Sequence, residues 1–232
     1  MNSWQPSASI EMLHKRAELF SYIRDFFRQR QVLEVDTPVL SQCAVSDPFI
    51  DSIEVSYRPT LAHDAQTMYL QTSPEYAMKR LLAAGSGAIY QMGKVYRNGE
   101  YGGRHNPEFT MLEWYRPGFD DARLMDEVEA LIGPLLALKS VPRVRYSDLF
   151  QRYLGFRPEE AELEQLISVT REHIDIQMDD SDPDSWLNLL MSHVIEPQLA
   201  ELDAVFVTDY PASQAALAQA RGCGRGAGGG PV

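Results

Sequence analysis

The chain has 232 residues, 44% of them hydrophobic, with a formal net charge of -12, enough length for one large domain or two small ones with a sizeable core. So acidic a balance argues against a protein that grips tRNA or another polyanion over a wide surface, while leaving room for a local basic patch. The two cysteines, Cys43 and Cys223, lie far apart without metal-ligand spacing, and the expected setting is a reduced cytoplasm. Asn2, Trp4 and Pro6 stand where a signal peptide needs a basic and then an apolar run. The longest apolar segment, 130–138, is broken by Gly133 and Pro134 and is too short to span a bilayer.

In chain order, Leu13, Ala17, Phe20, Ile23 and Phe27 recur at helical spacing, which predicts a helix over 10–29 with Ser9 as its N-cap and Glu11 in the first turn. An extended piece, VLEVDTPVL, follows. Residues 47–71 read as short strands and connecting loop, with MYLQT the clearest strand. Ser73-Pro74-Glu75 then opens a helix that Gly85 stops. Gly85-Ser86-Gly87 lacks the third glycine of a dinucleotide motif and reads as a helix cap.

The most informative stretch is QMGKVYRNGEYGGRHNPEFTMLEWYRP, residues 91–117. Its flanks alternate like strands, and the centre is a long polar turn, so it predicts a hairpin. Phe109, Met111, Glu113 and Tyr115 share one face of the returning strand. Arg97, Glu100, Arg104, His105, Asn106 and Glu108 crowd the loop mouth, where guanidinium and amide groups suit a bound anion and a stacked base. Glu113 stands between Met111 and Tyr115, where a lone buried carboxylate would be penalised.

Beyond the hairpin, Leu124, Val128, Leu131 and Leu135 predict an amphipathic helix over 120–138, and residues 157–202 read as acidic and mostly helical, with Leu163, Leu166 and Ile167 as one apolar face. Asp180, Asp182 and Asp184 mimic the start of a calcium loop. Ser185 and Met191, however, stand where such a loop needs Gly and a bidentate Glu, and a helix-capping loop fits better. AVFVT reads as a buried strand turning at Tyr210-Pro211. The tail RGCGRGAGGGPV has no periodicity and is expected to be disordered.

The run from Arg97 through RHNPEFTMLE resembles motif 2 of the class II aminoacyl-tRNA synthetases, in particular the lysyl branch. EWYRP after it, and PASQAALA at 211–218, are similar to the elongation factor P lysine ligases, stand-alone paralogues of lysyl-tRNA synthetase. The helix, strand and proline over 10–38 resemble motif 1, the dimer-forming element, and the resemblance implies a stand-alone catalytic domain without an anticodon-binding barrel before it. The resemblance implies an α+β class II synthetase catalytic fold, an antiparallel β-sheet flanked by helices. It covers 1–219 as one catalytic domain, followed by the tail 220–232. The sequence of motif 3 is absent, so the fold is expected to be incomplete at the C-terminus, by truncation or frameshift after Gln219.

The implied reaction is ATP-dependent activation of (R)-β-lysine or lysine as an aminoacyl adenylate, and its transfer to a lysine side chain of elongation factor P. By resemblance Arg97 clamps the α-phosphate, and Asn98, Gly99, Glu100, His105, Asn106 and Phe109 complete the ATP site, with Phe109 stacked on adenine. Ser73, Pro74, Glu75, Glu113 and Tyr115 hold the amino groups of the substrate. Magnesium is implied as well, with its usual glutamate ligands beyond Gln219, and no metal site is assigned within the chain. The family places a Glu two residues after the motif 2 Arg. Here that place is Gly99, with Glu100 one step later, which leaves the adenine contact of Glu100 open; Arg104 either reaches a phosphate or faces water. Two other readings stand beside this one: the catalytic core of a lysyl-tRNA synthetase, and a nucleotide-binding remnant without activity. The partners expected are elongation factor P, the amino acid and a second copy of the chain, with neither tRNA nor a membrane.

Overall fold

The computed structural model describes residues 4–103 and 105–214. Arg104, the reading of the N-terminal three residues, Cys223 and the glycine-rich tail 220–232 lie outside the described residues. The chain divides into two compact units, Met1–Leu124 and Met125–Val232.

In the first unit, α1 spans Ile10–Gln29, and Ser9 caps it by accepting the Met12 amide at 3.2 Å. Its apolar stripe is covered only in the C-terminal half. Ile23, Phe26 and Phe27 are buried, while Leu13 and Ala17 are exposed. Phe27 stacks on Tyr90 at 4.4 Å and lies 5.6 Å from Trp114, a burial that contributes roughly 2–3 kcal/mol for the one side chain. The chain turns back at Gln31 into β1 (Leu33–Glu34), and β2 (Leu40–Ser41), β3 (Glu54–Tyr57) and β4 (Gln66–Leu70) follow. Helix α2 (Glu75–Ala83) leads into β5 (Ile89–Tyr96) and β6 (Glu108–Tyr115), the predicted hairpin. The strands form two sheets, β1-β5-β6 and β2-β4-β3. The antiparallel pairing expected of the fold holds in β2-β4-β3 and in β5–β6, while β1 runs parallel to β5.

Alternation along the hairpin sorts its two faces. Tyr90 and Trp114, paired across the strands, turn toward α1. Gln91 and Glu113, the next pair, belong to the opposite face. Helix α2 ends as predicted: Gly85 has φ +90, its amide bonds to Leu82 O and that of Ser86 to Leu81 O, the Schellman pattern that a left-handed residue completes.

Helix α3 (Asp121–Leu136) contains Pro134, and the boundary between the units falls within it. In the second unit, β7 (Arg143–Arg145) is followed by α4 (Tyr146–Leu154), which Gly155 closes at φ +81. α5 (Leu163–His173) precedes α6 (Pro183–Leu190), which continues into one π turn, Met191–Ile195, and a short α7 (Glu196–Leu199). β8 (Phe206–Thr208) runs parallel to β7. The core gathers Tyr146, Leu149 and Phe150 of α4, Leu166 of α5 and Trp186, Leu187 and Leu190 of α6. The aspartate run caps α6, as expected. Asp182 accepts the Asp184 amide at 3.0 Å, and Asp180 accepts the Ser185 hydroxyl at 2.6 Å. That hydroxyl, followed by the Asp182 amide, holds the Asp180 carboxyl below its ordinary range.

Candidate active site

The site is built on the Gln91/Glu113 face of the β5–β6 hairpin. Glu113 is half-buried, and both of its oxygens are held: Ser73 Oγ donates to one at 2.8 Å and Tyr115 Oη to the other at 2.7 Å. Two neutral donors on one carboxylate meet the cost that an unpartnered buried charge would carry. The Tyr115 phenol is pushed well above its usual range, first by burial, then by its bond to Glu113 and the charges of Glu113 and Glu75. Glu75 stands at the start of α2, two residues from Ser73, and pairs with Lys79 at 2.6 Å.

Ser73 has two roles. It donates to Glu113 and accepts the Glu75 amide at 3.0 Å, so the residue that starts α2 also ties that start to β6. Pro74 stands one place ahead of the helix rather than in its first turn, and its nearly helical φ and ψ lead into α2.

The second half of the site surrounds Arg97. Its amide bonds to Pro107 O at 2.9 Å and closes the loop between the strands. Its Nε donates to Thr72 O at 3.4 Å, its Nη1 lies 3.5 Å from Glu100, and its guanidinium sits 5.2 Å from the centre of the Phe109 ring. Gly99 has φ +76, a conformation that a Glu would adopt only under strain. The left-handed step explains how the acidic partner comes one residue later, since Glu100 turns back to Arg97. Asn98 donates its amide to Asp51 O at 2.9 Å, which anchors the loop to the β2–β3 connection. His105 and Asn106 are exposed on the loop, which is pinched by a 3.0 Å bond from the Gly102 amide to His105 O.

The sequence-predicted residues thus fall into two groups. Ser73, Glu75, Glu113 and Tyr115 converge, and Arg97, Glu100 and Phe109 converge. Among the described residues no side-chain hydrogen bond or ion pair joins His105 or Asn106 to either. Thr72 joins the groups, since its carbonyl receives Arg97 and its neighbour Ser73 reaches Glu113. The sequence reading missed Gln91 and Thr37, which are buried beside Glu113. The signal for Gln91 was an amide between the apolar Tyr90 and Met92 of the strand.

The family model for the class II tRNA synthetases (D, K and N) matches residues 4–225. The chain belongs to the class II tRNA synthetase family. Membership makes it an ATP-dependent ligase of the synthetase type. Among similar curated proteins is the elongation factor P–(R)-β-lysine ligase of Haemophilus influenzae strain PittGG. It is 47% identical over 219 residues, 94% of this chain and 68% of that protein. The like-named ligases of Mannheimia succiniciproducens and Vibrio cholerae are each 46% identical, over 94% of this chain and 67% and 68% of their own lengths. Among the described residues no helix is long and apolar enough to cross a membrane.

Arg97 and Phe109 carry the chemistry that a nucleotide would use at this site. It offers a guanidinium beside an aromatic ring for a nucleotide and paired carboxylates for a cation. Magnesium is a different case. Among the described residues no three His, Cys, Asp or Glu side chains converge as ligands.

Proposed function

We propose that this chain activates (R)-β-lysine or lysine with ATP and passes the acyl group to a lysine side chain of elongation factor P. In the first step a carboxylate oxygen of the amino acid attacks the α-phosphorus, forming the adenylate and releasing pyrophosphate. In the second, the acceptor amine attacks the acyl carbon; the C–N bond forms, AMP leaves and the amine gives up a proton. Neither step needs a protein nucleophile. Position and charge neutralisation carry the first.

The observation that carries this reading is the Ser73–Glu113–Tyr115 cluster with Glu75 beside it. Two carboxylates at one small site suit a substrate with two amino groups. Glu113 with Tyr115 would take the side-chain ammonium, and Glu75, with Ser73 and Pro74, the other amine. In the other half Arg97 would neutralise the α-phosphate as charge develops there, and Phe109 would stack on adenine. Asn98, Gly99, Glu100, His105 and Asn106 would line the nucleotide. The names of the relatives support elongation factor P as the acceptor, and the net charge of -12 speaks for a protein rather than a tRNA partner.

We read 1–219 as the catalytic domain, working in the cytoplasm. A homodimer is the natural cover for the exposed apolar residues Ile10, Met12, Leu13 and Leu19 of α1. Exchange of labelled pyrophosphate into ATP, driven by each lysine isomer, tests the activation step, and mass change of elongation factor P tests the transfer. Exchange with α-lysine and transfer to tRNA alone would favour a lysyl-tRNA synthetase core instead.

A further inference from the structure

Gln91 is the cross-strand partner of Glu113, so the two side chains rise from the same face with Cβ atoms roughly 5 Å apart. It is only 3% exposed, and a carboxamide so buried needs a partner. That partner is distant in sequence: the Thr37 amide donates to Gln91 Oε1 at 3.0 Å.

Thr37 lies in the short segment between β1 and β2. At one end of it the Val35 amide bonds to Tyr90 O of β5, and at the other Val39 O accepts the amide of Gln71. The segment therefore spans from one sheet to the other. Its Thr37 amide belongs to neither ladder, and Pro38 has no amide to offer. Without Gln91 the Thr37 donor, in a residue 6% exposed, would be buried without a partner.

The contacts form a closed circuit around Glu113. Gln91 fixes Thr37; two residues on, Val39 fixes Gln71; two residues on again, Ser73 donates to Glu113; and Glu113 faces Gln91 across the hairpin. Gln71 is also bonded to β5, through the Tyr96 amide and Lys94 O, so the far side of the circuit is braced and Gln91 holds the near side.

We propose that Gln91 is a positioning residue for amino-acid recognition: by tethering Thr37 it holds Ser73 against Glu113, and so sets the geometry of the cluster that takes the substrate ammonium. It acts through those residues and touches no substrate itself. The recognition step rests on the proposed function; the tether does not.

The test compares Gln91→Met, which keeps length and apolar bulk but removes the acceptor, with Gln91→Glu, which keeps an acceptor oxygen. Calorimetric titration of the full chain with lysine, β-lysine and ATP is run beside hydrogen exchange, followed by NMR, of the Glu75 amide that bonds to Ser73 Oγ. For Gln91→Met the expected result is about a tenfold weaker amino-acid affinity, the equivalent of one buried hydrogen bond. ATP affinity stays within about twofold on the same scale, and the Glu75 amide exchanges faster as Ser73 is released. Gln91→Glu restores amino-acid affinity. Unchanged amino-acid affinity in Gln91→Met, or parallel loss of both ligands, overturns the proposal. A wild-type chain that binds neither isomer sinks the activation reading alone. The tether is then judged on the Glu75 amide, which bonds to Ser73 Oγ: exchange in Gln91→Met as slow as in the wild type refutes it, and faster exchange supports it.

Discussion

At Glu113 the structure turns an apparent liability into a site. A carboxylate inside a strand is costly unless its oxygens are occupied, and here a serine from a separate segment and a tyrosine two residues along supply both donors. Replacing Glu113 with Ala removes the anion without disturbing Arg97 or Phe109. Lysine-dependent exchange should fall by roughly two orders of magnitude, the effect of losing one hydrogen-bonded charge pair, while ATP binding persists; steady-state exchange and calorimetry measure the two. Tyr115→Phe is milder. It leaves one oxygen of Glu113 without its donor and should raise the amino-acid KM by about tenfold or less, as read from exchange rates against lysine concentration.

Tyrosine burial also gives a pH signature at this scale. Tyr146, 1% exposed at the head of α4, has its phenol pushed above the ordinary value of 10.0, chiefly by burial, and Tyr90 and Tyr115 are raised in the same direction. The unfolded chain releases these protons near pH 10 while the folded chain keeps them, so the stabilisation is complete below that pH and is lost as pH rises through the folded values. Urea unfolding between pH 9 and 11.5 should show stability falling by about 1.4 kcal/mol per pH unit for each such phenol. Tyr146→Phe should flatten that slope by one phenol's share.

Among the elements, α2 matters most, because its first residue is Glu75 and its cap is legible in sequence. Gly85 has φ +90 with nothing within 4 Å of an added Cβ, so Gly85→Ala isolates the cost of a left-handed backbone. It should lower stability by about 1–2 kcal/mol, readable as a shift in the urea midpoint at constant slope. The hairpin was equally legible, since alternation fixed which face carries Phe109, Glu113 and Tyr115. The same periodicity reported less about α1. It marks Leu13 as surely as Phe27, yet only the second half of the helix packs its apolar side chains on β5 and β6, because amphipathicity names an apolar stripe and not what covers it. The first half reaches β6 through the Arg16–Thr110 bond at 2.6 Å. Parallel pairing of β1 with β5 and of β7 with β8 left no local signal, as it joins segments dozens of residues apart. Gln91 escaped notice for the same reason: its partner lies 54 residues away.

At the scale of the whole molecule, the two units have different characters. The second is organised on one aromatic and aliphatic cluster around the fully buried Trp186, whose indole also donates to Asp180 O at 2.9 Å. Trp186→Ala should cost about 3–5 kcal/mol, enough to unfold a marginal domain and visible by circular dichroism. The first unit carries every proposed contact to substrate and nucleotide, and its stability is spread over two small sheets and half a helix.

Pyrophosphate exchange into ATP by the full chain, driven in turn by lysine, (R)-β-lysine and no amino acid, with Glu113→Ala alongside, tests the account most directly. It predicts exchange that depends on a lysine isomer and is lost in the variant while ATP still binds. Exchange that ignores the amino acid, or survives in Glu113→Ala, would contradict it.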